Sequence, residues 1–201
     1  MSSAVGVFGA SVLGLGAVRV LAEPLSITGP ATALEPARRL LPSTELLFPV
    51  DIVGGLNVLN NFGGFSGVNG SCGHAGIDIG TPKSEEGREL YACIDGLILD
   101  IQPYLNEQNE KPARGNAILL ESDFGDVYRY HHLSAFADGM AEGDRLQRGD
   151  LIGYMGTTGN TSWPHLHFEV RRGGRIGTPV DPVPLLPFPL PGVQLGPSTA
   201  C

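Results

Sequence analysis

From Leu46 onward the sequence is a series of short apolar segments, HAGIDIG, ELYACIDGLILDIQ, NAILLES, DVYRYHHLS, LIGYMG and HLHFEVRR, each closed by Gly, Asp, Asn or Pro. Segments of this length, rich in β-branched and aromatic residues and cut off by turn formers, predict strands and leave little room for long helices. The 29 glycines and 16 prolines of the chain agree, because both residues weaken helix interiors. The pattern predicts an all-β fold. The polar stretch YLNEQNEKPARGN between two of these segments reads as an exposed hairpin loop.

At 201 residues the chain is long enough for one domain with tails. Residues 1–22 form an apolar leader. Ala4 to Val18 is small and greasy and Val20-Leu21-Ala22 has the look of a cleavage site, yet no Lys or Arg precedes the run and Arg19 closes it. An export signal and a plain Gly/Ala/Ser leader both stay open. The run falls short of the ~20 residues that a membrane helix needs, so no stable membrane span is expected. Residues 23–45 read as a connecting arm with EPARRLL as a candidate short helix, and residues 46–182 as the globular part. The prolines of residues 183–201, VPLLPFPLPGVQLGPSTAC, exclude helix and central strand, so this tail is expected to be extended on the surface or disordered. The formal net charge is −8 and no Lys/Arg cluster interleaves with aromatics, which argues against nucleic acid and anionic membranes as partners. Of three cysteines, Cys72 and Cys93 are a candidate pair in an oxidising compartment, leaving Cys201 odd; the alternative is that both are small buried hydrophobes.

All five histidines fall in three of the segments, His74 in CGHAGIDIG, His131 and His132 in YRYHHLS, and His165 and His167 in PHLHFEV. In the last, Leu166, Phe168 and Val170 alternate with His165, His167 and Glu169, so a strand would put one greasy face against a core and two imidazoles with a carboxylate on the other. His74 and Asp78 are separated by about 13 Å if the chain between them is fully extended. Two ligands of one zinc lie within roughly 4 Å of each other, so a shared ion requires a bend, for which Gly73 and Gly76 supply the freedom. In the H-x-H pair one imidazole can bind a metal while its neighbour stands beside the open coordination position. Two His and one Asp leave the fourth position of a tetrahedral zinc for water, as in catalytic sites.

The motifs GHAGIDIG, YHHLS, GDRLQRGDLIGYMGTTGNTSWPHLHFEV and PVDP, in this order, resemble the lysostaphin-like zinc endopeptidases, the M23 or LytM family, over roughly Leu46 to Pro182. The resemblance implies an antiparallel β-sheet domain with an open groove and one zinc ion at its floor, acting on peptide bonds of bacterial peptidoglycan in the cell envelope, periplasmic or secreted. It makes His74, Asp78 and His167 the zinc ligands, and His165 and His132 the catalytic histidines. Strand alternation sets His132 on the face of Tyr128 and Tyr130 and turns His131 away with Arg129, so His131 is expected to be a surface or back-face residue. The sequence departs from the family in lacking an Arg after Phe62-Gly63 and in placing Cys72 two residues before His74. Trp163 is either a packed turn residue or a platform for substrate, and Glu169 either supports the ligands from behind or is an exposed charge.

The implied chemistry is metal-assisted hydrolysis, with His165 and His132 moving the protons. The first rival is a catalytically inactive relative that binds peptidoglycan or activates another hydrolase; against it, every matching ligand and both catalytic histidines are present. The second is a cofactor-carrier barrel suggested by GDRLQRGDLIG, which needs a modified lysine in a β-turn; the lysines Lys83 and Lys111 are not in such a motif. Peptidoglycan peptides are the expected partners, and the N-terminal arm or the C-terminal tail could cover the groove.

Overall fold

A computed structural model describes residues 46–65, 72–105 and 112–201. The leader, the arm with its candidate helix and the tip of the YLNEQNEKPARGN loop lie outside these residues. Eleven strands form one sheet: β1 (Leu56–Leu59), β2 (Ile77–Gly80), β3 (Glu89–Tyr91), β4 (Gly96–Gln102), β5 (Asn116–Ser122), β6 (Val127–Phe136), β7 (Arg145–Leu146), β8 (Leu151–Met155), β9 (Leu166–Arg172), β10 (Thr178–Val180) and β11 (Val193–Leu195). Their order is β11-β1-β2-β9-β6-β5-β4-β7, with β10 against β9 and β3 joined through β8 to β6. Neighbours run antiparallel except β1 and β11, which are parallel. Among the described residues there is no α-helix, only a 3-10 turn at Val183–Leu185. The expected all-β, antiparallel architecture is therefore present, with one parallel edge pair that makes the sheet mixed.

The core forms where alternation sends apolar side chains to one side. On β9, Leu166, Phe168 and Val170 are wholly buried and join Tyr128 and Tyr130 of β6 and Ile77 and Ile79 of β2. Residues of β3 and β8 (Leu90, Ile152, Met155) close the same cluster. Phe168 meets Tyr130 edge-on at 5.3 Å, and its truncation to Ala should cost about 3–5 kcal/mol. Leu46, Phe48 and Val50 are buried too, but Pro49 lacks an N–H and their segment follows β3 with isolated hydrogen bonds instead of a ladder.

Two expectations are corrected. Cys93 is buried in the core, with its N–H donating to the Tyr130 hydroxyl at 2.9 Å, whereas Cys72 is at the exposed rim. Cys72 instead bonds to Cys201, with a Cα–Cα distance of 5.9 Å. The pair was illegible because its members are 129 residues apart and Cys201 ends a proline-rich tail. That tail opens with the 3-10 turn at Val183–Leu185, whose Pro184 sits in the first turn where no N–H is needed, and is otherwise extended, but it is built into the fold. Leu186 is buried, Phe188 meets Phe48 edge-on at 5.6 Å, and β11 hydrogen-bonds along β1 at the sheet edge, the one place where flanking prolines are tolerated.

The third correction concerns β6. Ile118 of β5 pairs with Tyr130, but Asn116 pairs with Leu133, so three steps on β6 face two on β5. The additional residue makes a β-bulge. His132 takes it up with φ of 66°, a left-handed conformation rare for a side chain other than Gly, Asn or Asp. Before the bulge, Tyr128 and Tyr130 face the core and Arg129 and His131 face the opposite side; after the extra residue His132 returns to the side of His131. His131 is thus buried in the groove wall and not on the back face.

Candidate metal centre

A groove of about 590 Å³ runs over the polar face of β2, β9 and β6. All five histidines of the chain line it, together with Asp78, Glu169 and Trp163. Register explains most of this. Asp78 on β2 is opposite His167 on β9, and His167 is opposite His131 on β6, so three neighbouring strands carry one polar row across the sheet. His74 lies before β2 begins, and the chain bends at Gly76, which returns its ring to Asp78. The distance between His74 Nε2 and Asp78 Oδ1 is 3.5 Å, against the ~13 Å of an extended chain.

Asp78 Oδ1 is the meeting point. His167 Nδ1 lies 2.9 Å from it, His165 Nε2 3.4 Å and His74 Nε2 3.5 Å. The second nitrogen of each ring has a partner that only accepts. His74 Nδ1–H donates to the Gly76 carbonyl at 2.8 Å, His165 Nδ1–H to the Trp163 carbonyl at 3.0 Å, and His167 Nε2–H to Glu169 Oε1 at 3.2 Å. A neutral imidazole has one N–H, so these partners turn three lone pairs towards one carboxylate oxygen. Such a convergence of acceptors is suited to a positive charge between them.

The electrostatics carry the same message. Burial would raise the Asp78 carboxyl, but the close approach of His165, His167 and His74 holds it well below the usual carboxylate range. Burial would lower His167, yet the Asp78 and Glu169 carboxylates reverse this and push it up to about 9. The same lone pair that takes a proton there is one that a divalent cation would take. The ligand atoms of His74, Asp78 and His167 all lie within 4.8 Å of one another, with Asp78 Oδ1 3.5 Å from His74 Nε2 and 2.9 Å from His167 Nδ1, so that small shifts would bring them round one zinc with nitrogen and oxygen ligands at 2.0–2.2 Å. Their outward-facing nitrogens are tied to a carbonyl and a carboxylate, the usual second support of metal-binding histidines.

His165 and His132 flank this trio. The His165 ring stacks on Trp163 at 4.2 Å between centroids and is 4.8 Å from the His132 ring. His132 is held by its backbone and its ring, and its neighbour Leu133 is held as well. The His132 backbone N–H donates to the Arg114 carbonyl at 2.9 Å, its Nδ1–H donates to the Thr158 carbonyl at 2.8 Å, and the Thr158 hydroxyl donates to the Leu133 carbonyl at 2.7 Å. Gly115, with φ of 66°, lets its loop approach so closely that a Cβ there would stand 2.3 Å from the Thr158 carbonyl oxygen. Burial pushes the His132 imidazole down to about 4, leaving a neutral ring whose Nε2 has a free lone pair.

A second group, His131, His167 and Glu169, also has ligand atoms within 4.8 Å. It suits a cation less well, because Arg171 Nε–H donates to Glu169 Oε2 at 2.7 Å and Arg129 lies 3.5 Å from the same oxygen. Glu169 is thus a buried support behind His167, neutralised by arginines. Besides His131, reasoning from sequence overlooked Asn61 and Thr158. Asn61 Nδ2–H donates to Asp78 Oδ2 at 2.8 Å, and nothing in the local spacing signals a partner 17 residues downstream.

The family model of peptidase family M23 matches residues 72–182. The DD-carboxypeptidase/endopeptidase Mpg of Neisseria meningitidis serogroup B is 38% identical over 117 residues, which cover 58% of this chain and 24% of that protein. The peptidoglycan DD-endopeptidase ShyB of Vibrio cholerae is 32% identical over 108 residues, 54% of this chain and 22% of that protein. The chain thus spans about a quarter of the length of the curated relatives it matches. Among solved structures, the catalytic domain of the antimicrobial peptidase lysostaphin from Staphylococcus simulans superposes with a TM-score of 0.51 at 30% identity, covering 61% of this chain and 86% of that one.

Proposed function

Since the chain belongs to peptidase family M23, and so to the metallopeptidase hydrolases, we propose that it is a zinc-dependent endopeptidase acting on the peptides of bacterial cell-wall peptidoglycan. His74, Asp78 and His167 would hold one zinc ion. A bound zinc supplies Lewis-acid polarisation of a scissile carbonyl and brings the pKa of water into the neutral range. The remaining work belongs to the chain's own groups. His165 and His132, each with Nδ1–H tied to a backbone carbonyl, present Nε2 lone pairs to the groove, where one can take a proton from the attacking water. The imidazolium so formed can stabilise the developing oxyanion and then protonate the departing amine. Trp163, stacked on His165, keeps that ring from turning away and excludes water from one of its faces.

The observation that carries this reading is the convergence of three imidazole lone pairs on Asp78 Oδ1, each fixed by an acceptor on the far side of its ring. A site outside the cytoplasm, in the cell envelope or secreted, is supported by the names of the relatives and by the Cys72–Cys201 disulfide, a bond that persists in oxidising compartments. Elemental analysis of the wild type and His74→Ala, beside clearing of purified peptidoglycan, tests the proposal. About one zinc per chain with clearing, both lost in the variant, is the expected result. A wild type that holds no zinc and clears nothing after zinc is added would overturn it.

A further inference from the structure

The groove explains the five histidines, but not the attention the fold gives to the other oxygen of Asp78. Asp78 Oδ1 faces the imidazoles, whereas Oδ2 accepts a hydrogen bond from Asn61 Nδ2–H at 2.8 Å. The same side chain accepts in return, its Oδ1 lying 3.3 Å from the Asp78 backbone N–H. One carboxamide thus holds both the carboxylate and the backbone of a candidate ligand. A carboxylate on a single-bonded side chain can rotate, so without this clamp Oδ1 would have no fixed direction towards the three rings.

Asn61 itself sits in a loop that has no ladder of its own, and the C-terminal segment holds it. The Thr199 N–H donates to the Asn60 carbonyl at 2.9 Å and the Cys201 N–H to the Gly63 carbonyl at 3.4 Å. Gly64 is packed so tightly there that a Cβ would stand 2.6 Å from the Thr199 carbonyl oxygen. The loop in turn grips the other candidate ligand, with the Gly63 N–H donating to the His74 carbonyl at 2.8 Å and the His74 N–H donating to the Gly64 carbonyl at 3.0 Å. The disulfide closes the circuit, since Cys72 lies two residues before His74 and its partner is the last residue of the segment. A continuous set of contacts therefore runs from the end of the chain to two of the three proposed ligands.

The geometry points to Asn61 as a positioning residue for the metal site, kept in place by the disulfide-tied C-terminal segment. This rests on the zinc reading above. Partners that orient a metal ligand from behind typically contribute 10–100-fold in metal affinity. The test is titration of the metal-free full chain with Co²⁺ against a competing chelator, read through both affinity and visible absorption, which reports the arrangement of the ligands. Asn61→Leu keeps the size of the side chain and removes both hydrogen bonds; Asn61→Ala serves if the leucine disturbs folding, and circular dichroism confirms that each variant is folded. The expected result is a loss of about 10–100-fold in Co²⁺ affinity with an altered spectrum. The double variant Cys72→Ser/Cys201→Ser, which leaves no free thiol beside the site, should show a smaller loss in the same direction.

Folded Asn61 variants with wild-type affinity and spectrum would overturn the assignment, even with a lowered Tm, because a merely structural residue would move only the Tm. A double serine variant with wild-type affinity would overturn the part given to the C-terminal segment. Failure of the zinc reading looks different, since the wild type itself would then take up no Co²⁺.

Discussion

Two pairs of histidines face the same groove, and the strands that carry them do so by opposite means. His167 on β9 and His165 just before that strand are one residue apart and reach the same side by plain alternation, with Leu166 between them in the core. On β6, His131 and His132 are adjacent, and alternation would send them to opposite faces. The bulge at His132 cancels one step, and both rings enter the groove wall. The first pair costs the backbone nothing. The second requires a left-handed residue, a conformation that costs on the order of 1–3 kcal/mol and persists only where the surroundings enforce it. Those surroundings include the loops around Gly115 and Thr158, where the Arg114 and Thr158 carbonyls accept from the backbone and the ring of His132. A regular strand can place a ligand, whereas aiming a group beside it takes irregular backbone and outside support.

The comparison can be broken most severely on β9. His167→Ala removes the residue shared between the Asp78 and Glu169 carboxylates, and both zinc content and peptidoglycan clearing should fall to background. Next come His165→Ala and His132→Ala. If the two flank the centre and hold no metal, each should retain about one zinc per chain while the rate falls by about 10²- to 10⁴-fold, the usual worth of a general acid or base. Zinc lost from His165→Ala would place that residue among the ligands and weaken the distinction between His165 and His167.

What was legible in the sequence follows the same division. The strands with regular alternation were readable, and so was the convergence of the histidine segments, because side-chain period and turn residues are local properties. On β9 the pattern HLHFEV gave both the buried and the polar face correctly. The resemblance makes His132 a catalytic histidine, while alternation sets it on the wrong face, since a bulge is a property of pairing with β5 and leaves no mark in YRYHHLS. Asn61, Thr158 and the Cys72–Cys201 bond were invisible for a related reason, as each acts across a distance in sequence that only the assembled sheet closes. The short strand β11 escaped because its prolines are compatible with an edge strand and with an irregular tail alike.

A smaller effect is expected where the support of β6 is disturbed. Gly115→Ala would push a Cβ towards the Thr158 carbonyl, the acceptor that fixes the His132 ring, and would itself be strained at φ of 66°. A stability loss of about 1–3 kcal/mol is expected from the backbone alone. Displacement of the ring should also lower the rate by up to about 10²-fold, the cost of misplacing a catalytic group by about 1 Å. Zinc content should stay at the wild-type level. Chemical denaturation and elemental analysis on one preparation separate these effects, and a variant with an unchanged rate would show that the loop does not aim His132.

The smallest effect distinguishes the two neighbours on β6. His131 is only 6% exposed, its Nε2 has no hydrogen-bond partner among the described residues, and its Nδ1 is 4.0 Å from Glu169, beyond hydrogen-bond range. What it does make is a parallel contact with the His167 ring, 5.2 Å between centroids and 18° between planes. His131→Phe preserves a flat ring at that place and removes a buried polar atom that makes no bond. Such an unpaired group costs about 1 kcal/mol or more, so the variant should be at least as stable as the wild type, with a gain of about 1 kcal/mol raising the Tm by about 2–4 °C. Zinc content and clearing should stay near wild type, in contrast to His132→Ala. A fall in rate comparable with that of His132→Ala would mean that the bulge delivers two working imidazoles, and the second histidine of the pair would then belong to the chemistry and not to the packing.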